Sequence, residues 1–139
     1  MEKKFNGWMK LKDSIHNTGS RPAGYKTRDV WWVSIGRNIG FEEDGKGDFY
    51  NRPVVILHGF SNGLFLGVPL SHTKNRGKYY HEFLLNGNIS VALLSQIRVF
   101  DTLRLIRKQG VISIQDFSNI KKKLNKILDL NHKSKAKTS

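Results

Sequence analysis

The sequence predicts a mainly β fold: an antiparallel sheet curled into a small barrel, with a helix at its C-terminal end. Three observations carry that expectation. Short runs rich in aromatic and β-branched residues follow one another from Val30 to Lys108. Tight-turn signals separate them, with no helical period in between. A strongly amphipathic stretch comes only afterwards, over residues 113–128. Many short strands without crossover helices rule out a parallel α/β sheet and call for a closed or curled antiparallel one.

Taken in order, residues 3–16 predict a short amphipathic helix. Phe5, Trp8, Met9 and Ile15 share a stripe at helical spacing and lysines fill the other side. "NTGSRPAGYKT" (17–27) is rich in turn formers and reads as a linker. Residues 1–27 are therefore expected to be an appendage docked on a main domain of residues 28–130, with Trp8 and Phe5 as docking contacts. In that domain "VWWVSI" (30–35) is a strand, followed by a glycine-broken loop. "RPVVILHGF" (52–60) and "GLFLGVPL" (63–70) form a hairpin through Ser61–Asn62. "YYHEFLL" (79–85) and "ISVALLSQIRVF" (89–100) form another through Asn86-Gly87-Asn88. Alternation along that long strand puts Val91, Leu93, Ile97 and Val99 on one face and Gln96 and Arg98 on the other. "LRLIRK" (103–108) adds a last short strand. Ser113 and Asp116 then read as a capping box with Asp in place of the usual Glu. Phe117, Ile120, Leu124, Ile127 and Leu128 make one apolar face of the final helix, and Lys121, Lys122, Lys123 and Lys126 the others. Residues 131–139 read as a basic, flexible tail.

Charge points to a class of partner. The 139 residues hold 24 Lys and Arg against 11 Asp and Glu, a formal charge of +13. Such an excess suits a polyanion, most often nucleic acid; an acidic protein or a lysine-rich solubilising surface are the other readings. The absence of cysteine removes disulfide and thiolate chemistry and fits a reducing cytoplasm. "MEKKFNGWMKLKD" lacks the apolar core of a signal peptide, and no window is long enough to span a membrane. There is no P-loop and no dinucleotide fingerprint. His16, His58, His72, His81 and His132 show no ligand spacing, so neither a metal site nor a cofactor is expected. Any chemistry falls to Arg, Ser, Glu and His on a barrel surface.

Within that limit a few residues stand out. Four of the acids, Glu42, Glu43, Asp44 and Asp48, crowd into the loop before Arg52. Pro53 forces Arg52 into an extended conformation at the mouth of a strand. Its guanidinium then reads either as a planar fork for phosphate or as the partner of a nearby acid. Ser71 and His72 close the next strand, where a barrel displays polar groups; a turn-capping serine is the plainer reading. Gln96 and Arg98 can contact phosphate and base edges or be an ordinary solvated face. Trp31, Trp32, Tyr79 and Tyr80 are either stacking platforms or core.

In order, "DVWWVSIG", "IGFEEDG", "RPVVIL", "VPLS" and "LLSQIRVFD" resemble the MazF/PemK family of toxin endoribonucleases over about residues 28–128. The resemblance implies an SH3-like β-barrel with a C-terminal helix, the helix of residues 3–16 being an addition. It further implies a homodimer that cleaves single-stranded RNA, typically mRNA, without metal, and a cognate antitoxin that inserts a segment across the groove. Position by position, Arg52 matches the family's catalytic arginine and Ser71 its catalytic threonine. Glu42 matches the acid of its "SEQ" motif, and Gln96 and Arg98 its "QIR" segment. Glu43 replaces the common glutamine, and the loop from Glu42 to Arg52 is longer than in compact members. Leu93 and Ser95 stand where some members carry an Arg-x-Asp pair, so that variant of the chemistry is closed to this chain.

The mechanism implied is attack of the ribose 2′-hydroxyl on the adjacent phosphate, with loss of the 5′-oxygen. Arg52 would stabilise the phosphorane and Ser71 would donate to a phosphate oxygen. Glu42 would be the base, with His72 as the alternative. Glu43, Gln96, Arg98 and Lys74 would line the RNA path, the lysine adding salt-sensitive affinity. Two other readings compete: a non-catalytic nucleic-acid-binding barrel, and a protein-targeting toxin of the gyrase-poison kind on the same fold.

Overall fold

The computed structural model describes residues 2–129. The elements are α1 (Asn6–Thr18), β1 (Asp29–Ser34), β2 (Asn51–Gly59), β3 (Leu64–Ser71), β4 (Tyr80–Leu85), β5 (Asn88–Leu93), β6 (Arg98–Asp101), β7 (Leu105–Val111) and α2 (Ile114–Leu128). The proposed tail, residues 131–139, lies outside the described residues. All the strand pairs are antiparallel and run in the order β4-β5-β3-β2-β1-β7, with β6 on β3. The sheet curls until its two end strands meet at one point. There Asn86 Nδ2, in the β4–β5 turn, donates to the Gln109 carbonyl of β7 at 3.1 Å.

That turn is Asn86-Gly87, with φ of 51° and 81°. Left-handed φ at both positions is the two-residue hairpin connection whose twist matches the strands. The β2–β3 connection is longer, residues 60–63, closed by Phe60 N–H donating to Leu64 O at 2.8 Å.

One strand expectation fails. Residues 89–100 are not continuous but split into β5 and β6 by a 3₁₀ turn at Leu94–Gln96. The cause is a shared edge. Leu70 and Ser71 of β3 pair with β5, whereas Leu64–Gly67 of the same strand pair with β6. The chain must turn a corner to follow β3 as the sheet curls. The corner breaks the alternation: Leu94 turns into the core and Val99, expected with Val91 and Leu93, is 47% exposed.

The sheet is buried on both faces, which is why β1 and β2 read as unbroken apolar runs. On one side Val30, Val55, Val68, Phe83 and Ile112 meet Phe117, Ile120 and Leu124 of α2. On the other, Trp31, Val33, Val54, Ile56, Phe65 and Phe100 form a second cluster, with Tyr25 of the linker packed against it. Leu128, placed on the apolar face of α2, is exposed at the helix end. The α2 cap is a variation on the capping box. Ser113 Oγ accepts the Asp116 N–H at 3.0 Å and donates to its carboxylate at 2.9 Å. The other carboxylate oxygen faces His81 Nε2 at 3.0 Å and ties the helix start to β4.

The stripe on α1 narrows to Trp8, which is buried, with Ile15 half-buried; Phe5 and Met9 are exposed. Trp8 lies against Gly36 and 5.7 Å from the Tyr50 ring. At Gly36, with φ of 89°, an added Cβ would run into the indole. The appendage therefore docks on the loop between β1 and β2, through a position only glycine fills.

Candidate active site

The β1–β2 loop, residues 35–50, is a closed stem with an arched tip. Gly45 N–H donates to Gly36 O at 2.7 Å, and Lys46 and Asn51 exchange backbone bonds at 2.8 and 3.0 Å. The arch, residues 38–44, leans over the corner between β5 and β6. Between them lies a cleft of about 620 Å³, whose lining includes Ile39, Phe41, Glu42, Glu43, Gln96 and Arg98. Gln96 bridges it: its Oε1 accepts from Glu43 N–H at 3.2 Å and its Nε2 donates to Phe41 O at 3.3 Å.

Arg52 lies behind the arch and is 7% exposed. Its Nε donates to Asp44 O at 2.8 Å and its Nη1 to Leu70 O at 3.2 Å. Its Nη2 meets Glu43 Oε1 at 2.7 Å. Two carbonyls fix the plane of the fork, and a carboxylate occupies its outer edge. Of the two readings of Arg52, the geometry shows the partner of an acid. That acid is Glu43, placed by the sequence along the RNA path, and not Glu42. Glu42 sits at the exposed tip, where Oε1 accepts from Ile39 N–H at 2.9 Å.

The remaining candidates are spread along β3 and the corner. Ser71 follows the carbonyl that holds Arg52, and its Oγ accepts from Thr73 N–H at 3.1 Å, the turn-capping role. His72 is exposed, with Nδ1 at 3.2 Å from Ile89 O. A carbonyl only accepts, so His72 donates from Nδ1 and keeps Nε2 as its free nitrogen. Lys74 is exposed on the loop after β3, away from the cleft lining. Arg98 is half-buried, its guanidinium 4.6 Å from the Phe100 ring centroid. Burial lowers its pKa below the ordinary arginine value, and the negative charge of Glu42 opposes the shift. Of the aromatic candidates, Trp31 is core, with its Nε1 donating to Asp29 at 3.1 Å; Tyr79 is exposed.

Several contacts of the site were not read from the sequence. Asp44 accepts from Asn38 N–H at 2.6 Å through Oδ1, and Asn38 Nδ2 donates to Glu43 O at 2.8 Å. Together they shape the arch. Phe41 is fully exposed and Ile39 is 77% exposed. Arg104 donates to Ser34 O at 3.0 Å, and its guanidinium lies 5.7 Å from the Trp8 ring centroid. Its pKa is lowered, first by burial and then by Arg98, against the opposing pull of Asp101. No group of three or more His, Asp or Glu placed to hold a metal occurs among the described residues.

A family model described as PemK-like, MazF-like toxin of type II toxin-antitoxin system matches residues 26–128. The chain belongs to this family. Solved structures with a similar fold include MazF of Deinococcus radiodurans (17% identity, TM-score 0.65, 80% of this chain and 99% of that one). Another is an endoribonuclease in complex with its cognate antitoxin from a mycobacterial species (12%, TM-score 0.59, 77% and 97%). A third is the MazE–MazF complex of Deinococcus radiodurans (17%, TM-score 0.60, 76% and 96%). At these identities the likeness is one of fold. No curated protein sequence matches the chain. The PemK/MazF match begins after α1, so the appendage that touches the arch lies outside it. No described helix is long and apolar enough to cross a membrane.

Proposed function

We propose that this PemK/MazF-family toxin is an endoribonuclease that cleaves single-stranded RNA at Arg52. One observation carries the reading: a buried guanidinium, fixed by two carbonyls, turns its outer edge to a carboxylate that a phosphate can replace. Family membership supports it, as does the formal charge of +13.

In this mechanism the scissile phosphate takes the place of Glu43 on Arg52, and the displaced carboxylate lies beside the ribose. Glu43, not Glu42, is then the base that accepts the 2′-hydroxyl proton. The 2′-oxygen bonds to phosphorus, the bond to the 5′-oxygen breaks, and that oxygen takes a proton from water. The products are a 2′,3′-cyclic phosphate and a 5′-hydroxyl. Arg52 stabilises the charge on the phosphorane, and Ser71, released from its turn, donates to a phosphate oxygen. Phe41 and Ile39 offer apolar contact to unstacked bases, and Gln96 and Arg98 their polar edges. No step requires a metal. By analogy with its family the toxin is a cytoplasmic homodimer held in check by an antitoxin.

The test is incubation of the purified protein with single-stranded RNA in EDTA, beside Arg52→Ala and Arg52→Lys. Cleavage by the parent, lost by about 10²-fold or more in both variants, is the expected result. Retardation of RNA by all three without cleavage would instead mark a non-catalytic binding module. Strict dependence on a divalent ion would overturn the mechanism.

A further inference from the structure

The arch over Arg52 is held from outside the family domain. Lys3 precedes α1, and its Nζ donates to Asn38 O at 2.7 Å and Gly40 O at 3.0 Å. The same ammonium meets Asp44 Oδ2 at 3.0 Å. One cation thus joins both limbs of the arch. The joint is backed by Arg37 Nη1, which donates to Lys4 O at 3.0 Å, and by Trp8 against Gly36. Asp44 is the residue whose carbonyl holds Arg52 Nε, and the next residue toward the N-terminus, Glu43, covers Nη2. A single rigid path therefore runs from the appendage to the guanidinium.

We propose that Lys3 is a positioning residue, a latch that keeps the arch closed with Glu43 seated on Arg52. The proposal rests on the reading of Arg52 as the phosphate site. A phosphate reaches that fork only after the Glu43 carboxylate leaves it, and a closed arch, with Glu43 N–H tied to Gln96 and its carbonyl to Asn38, keeps that carboxylate seated. The fraction of molecules with the arch open then scales the apparent affinity for RNA. Lys3 lowers that fraction. Its effect is opposite in sign to that of an ordinary surface lysine, whose removal weakens binding to a polyanion. Lys4 supplies the contrast: it carries the same charge one residue away, and its side chain is exposed and holds no part of the arch.

The experiment compares the full chain with Lys3→Met, Lys3→Arg and Lys4→Met in two assays. The first is hydrogen exchange at the amides of Asn38, Ile39 and Glu42, bonded within the arch, and of Glu43, bonded to Gln96 across the cleft. Lys3→Met is expected to speed their exchange about ten-fold without affecting strand amides, while Lys3→Arg and Lys4→Met leave it near the parent rate. The second is steady-state RNA cleavage. Lys3→Met is expected to lower KM about three- to five-fold with kcat within about two-fold, whereas Lys4→Met leaves KM unchanged or raises it. Unchanged exchange in Lys3→Met overturns the latch, whatever RNA does. Faster exchange with a KM that does not fall overturns the claim that the closed arch obstructs RNA. If no variant cleaves RNA, the nuclease reading fails by itself and exchange alone decides whether Lys3 holds the arch.

Discussion

Two loops end beside Arg52, and they are held in opposite ways. The first, residues 35–50, is acidic and fastened by Lys3, Gln96, Arg52 and Asn38. The second, residues 72–79, is basic and secured mainly near its start: Thr73 N–H to Ser71 Oγ and Asn75 Nδ2 to Thr73 O, with His72 reaching Ile89 O of β5. Among the described residues its Lys74 and Arg76 meet no acid, and Lys78 faces only the Tyr79 ring, its ammonium 5.1 Å from the centroid. The contrast explains why a strongly basic chain gathers acids in one loop. There three of the four carboxylates bond within the loop or to Arg52: Glu43 neutralises a buried arginine, Asp44 shapes and anchors the arch, and the exposed Glu42 caps its tip. The cations across the way are left to solvent.

The comparison is broken most sharply at Glu43. Glu43→Gln is expected to cut RNA cleavage by about 10²–10⁴-fold, because it removes the proton acceptor beside the phosphate site. Glu42→Gln is expected to change it by less than about five-fold, a tip bond only. The reverse ranking in a kcat/KM assay would return the base to Glu42. Glu43→Gln also leaves Arg52 buried without its counter-charge, so a fall in stability of about 1–3 kcal/mol in urea unfolding should accompany it.

Next in size is Gly36→Ala. Its φ of 89° and the Trp8 ring against it leave no room for a Cβ. The variant is expected to lose about 2 kcal/mol, read as a lower urea midpoint, and to free α1 from the acidic loop. Full stability in this variant would mean that α1 docks elsewhere. A smaller effect belongs to the basic loop. Lys74→Ala, Arg76→Ala and Lys78→Ala combined should raise KM for RNA about ten-fold at physiological salt and leave kcat unchanged. They should also flatten the salt dependence of binding, by about 0.7 in slope for each phosphate that is no longer neutralised. A wild-type salt slope would show that RNA avoids this loop. Smallest is Gln96→Ala, which unties the arch from the barrel corner and should loosen it by about 1 kcal/mol in hydrogen exchange at Glu43.

The strands and hairpins were legible because their signals are local. Asn86-Gly87 specifies its turn, and Pro53 puts Arg52 at the start of a strand. The break at Leu94–Gln96 was not read, although the polar pair Ser95-Gln96 interrupts the apolar run, because one such pair also fits the solvated face of a continuous strand. It arises only when β5 and β6 share an edge of β3. The same limit governs the site. That Arg52 opens a strand beside an acidic loop could be read from Pro53; which acid it holds could not, because Glu42 and Glu43 are neighbours and the arch decides which one turns inward. Lys3 is further still from legibility. Nothing in "MEKKF" distinguishes it from Lys4, and only the docking of Trp8 on Gly36 brings its ammonium to Asp44.

The central claim is that Arg52 and Glu43 form a site for metal-free attack by a 2′-hydroxyl. Analysis of the RNA ends left by the parent protein in EDTA tests it most directly. The expected products are 2′,3′-cyclic or 3′-phosphate ends paired with 5′-hydroxyl ends, absent with Arg52→Ala. Ends of the opposite kind, 3′-hydroxyl with 5′-phosphate, or intact RNA at every protein concentration, would contradict it.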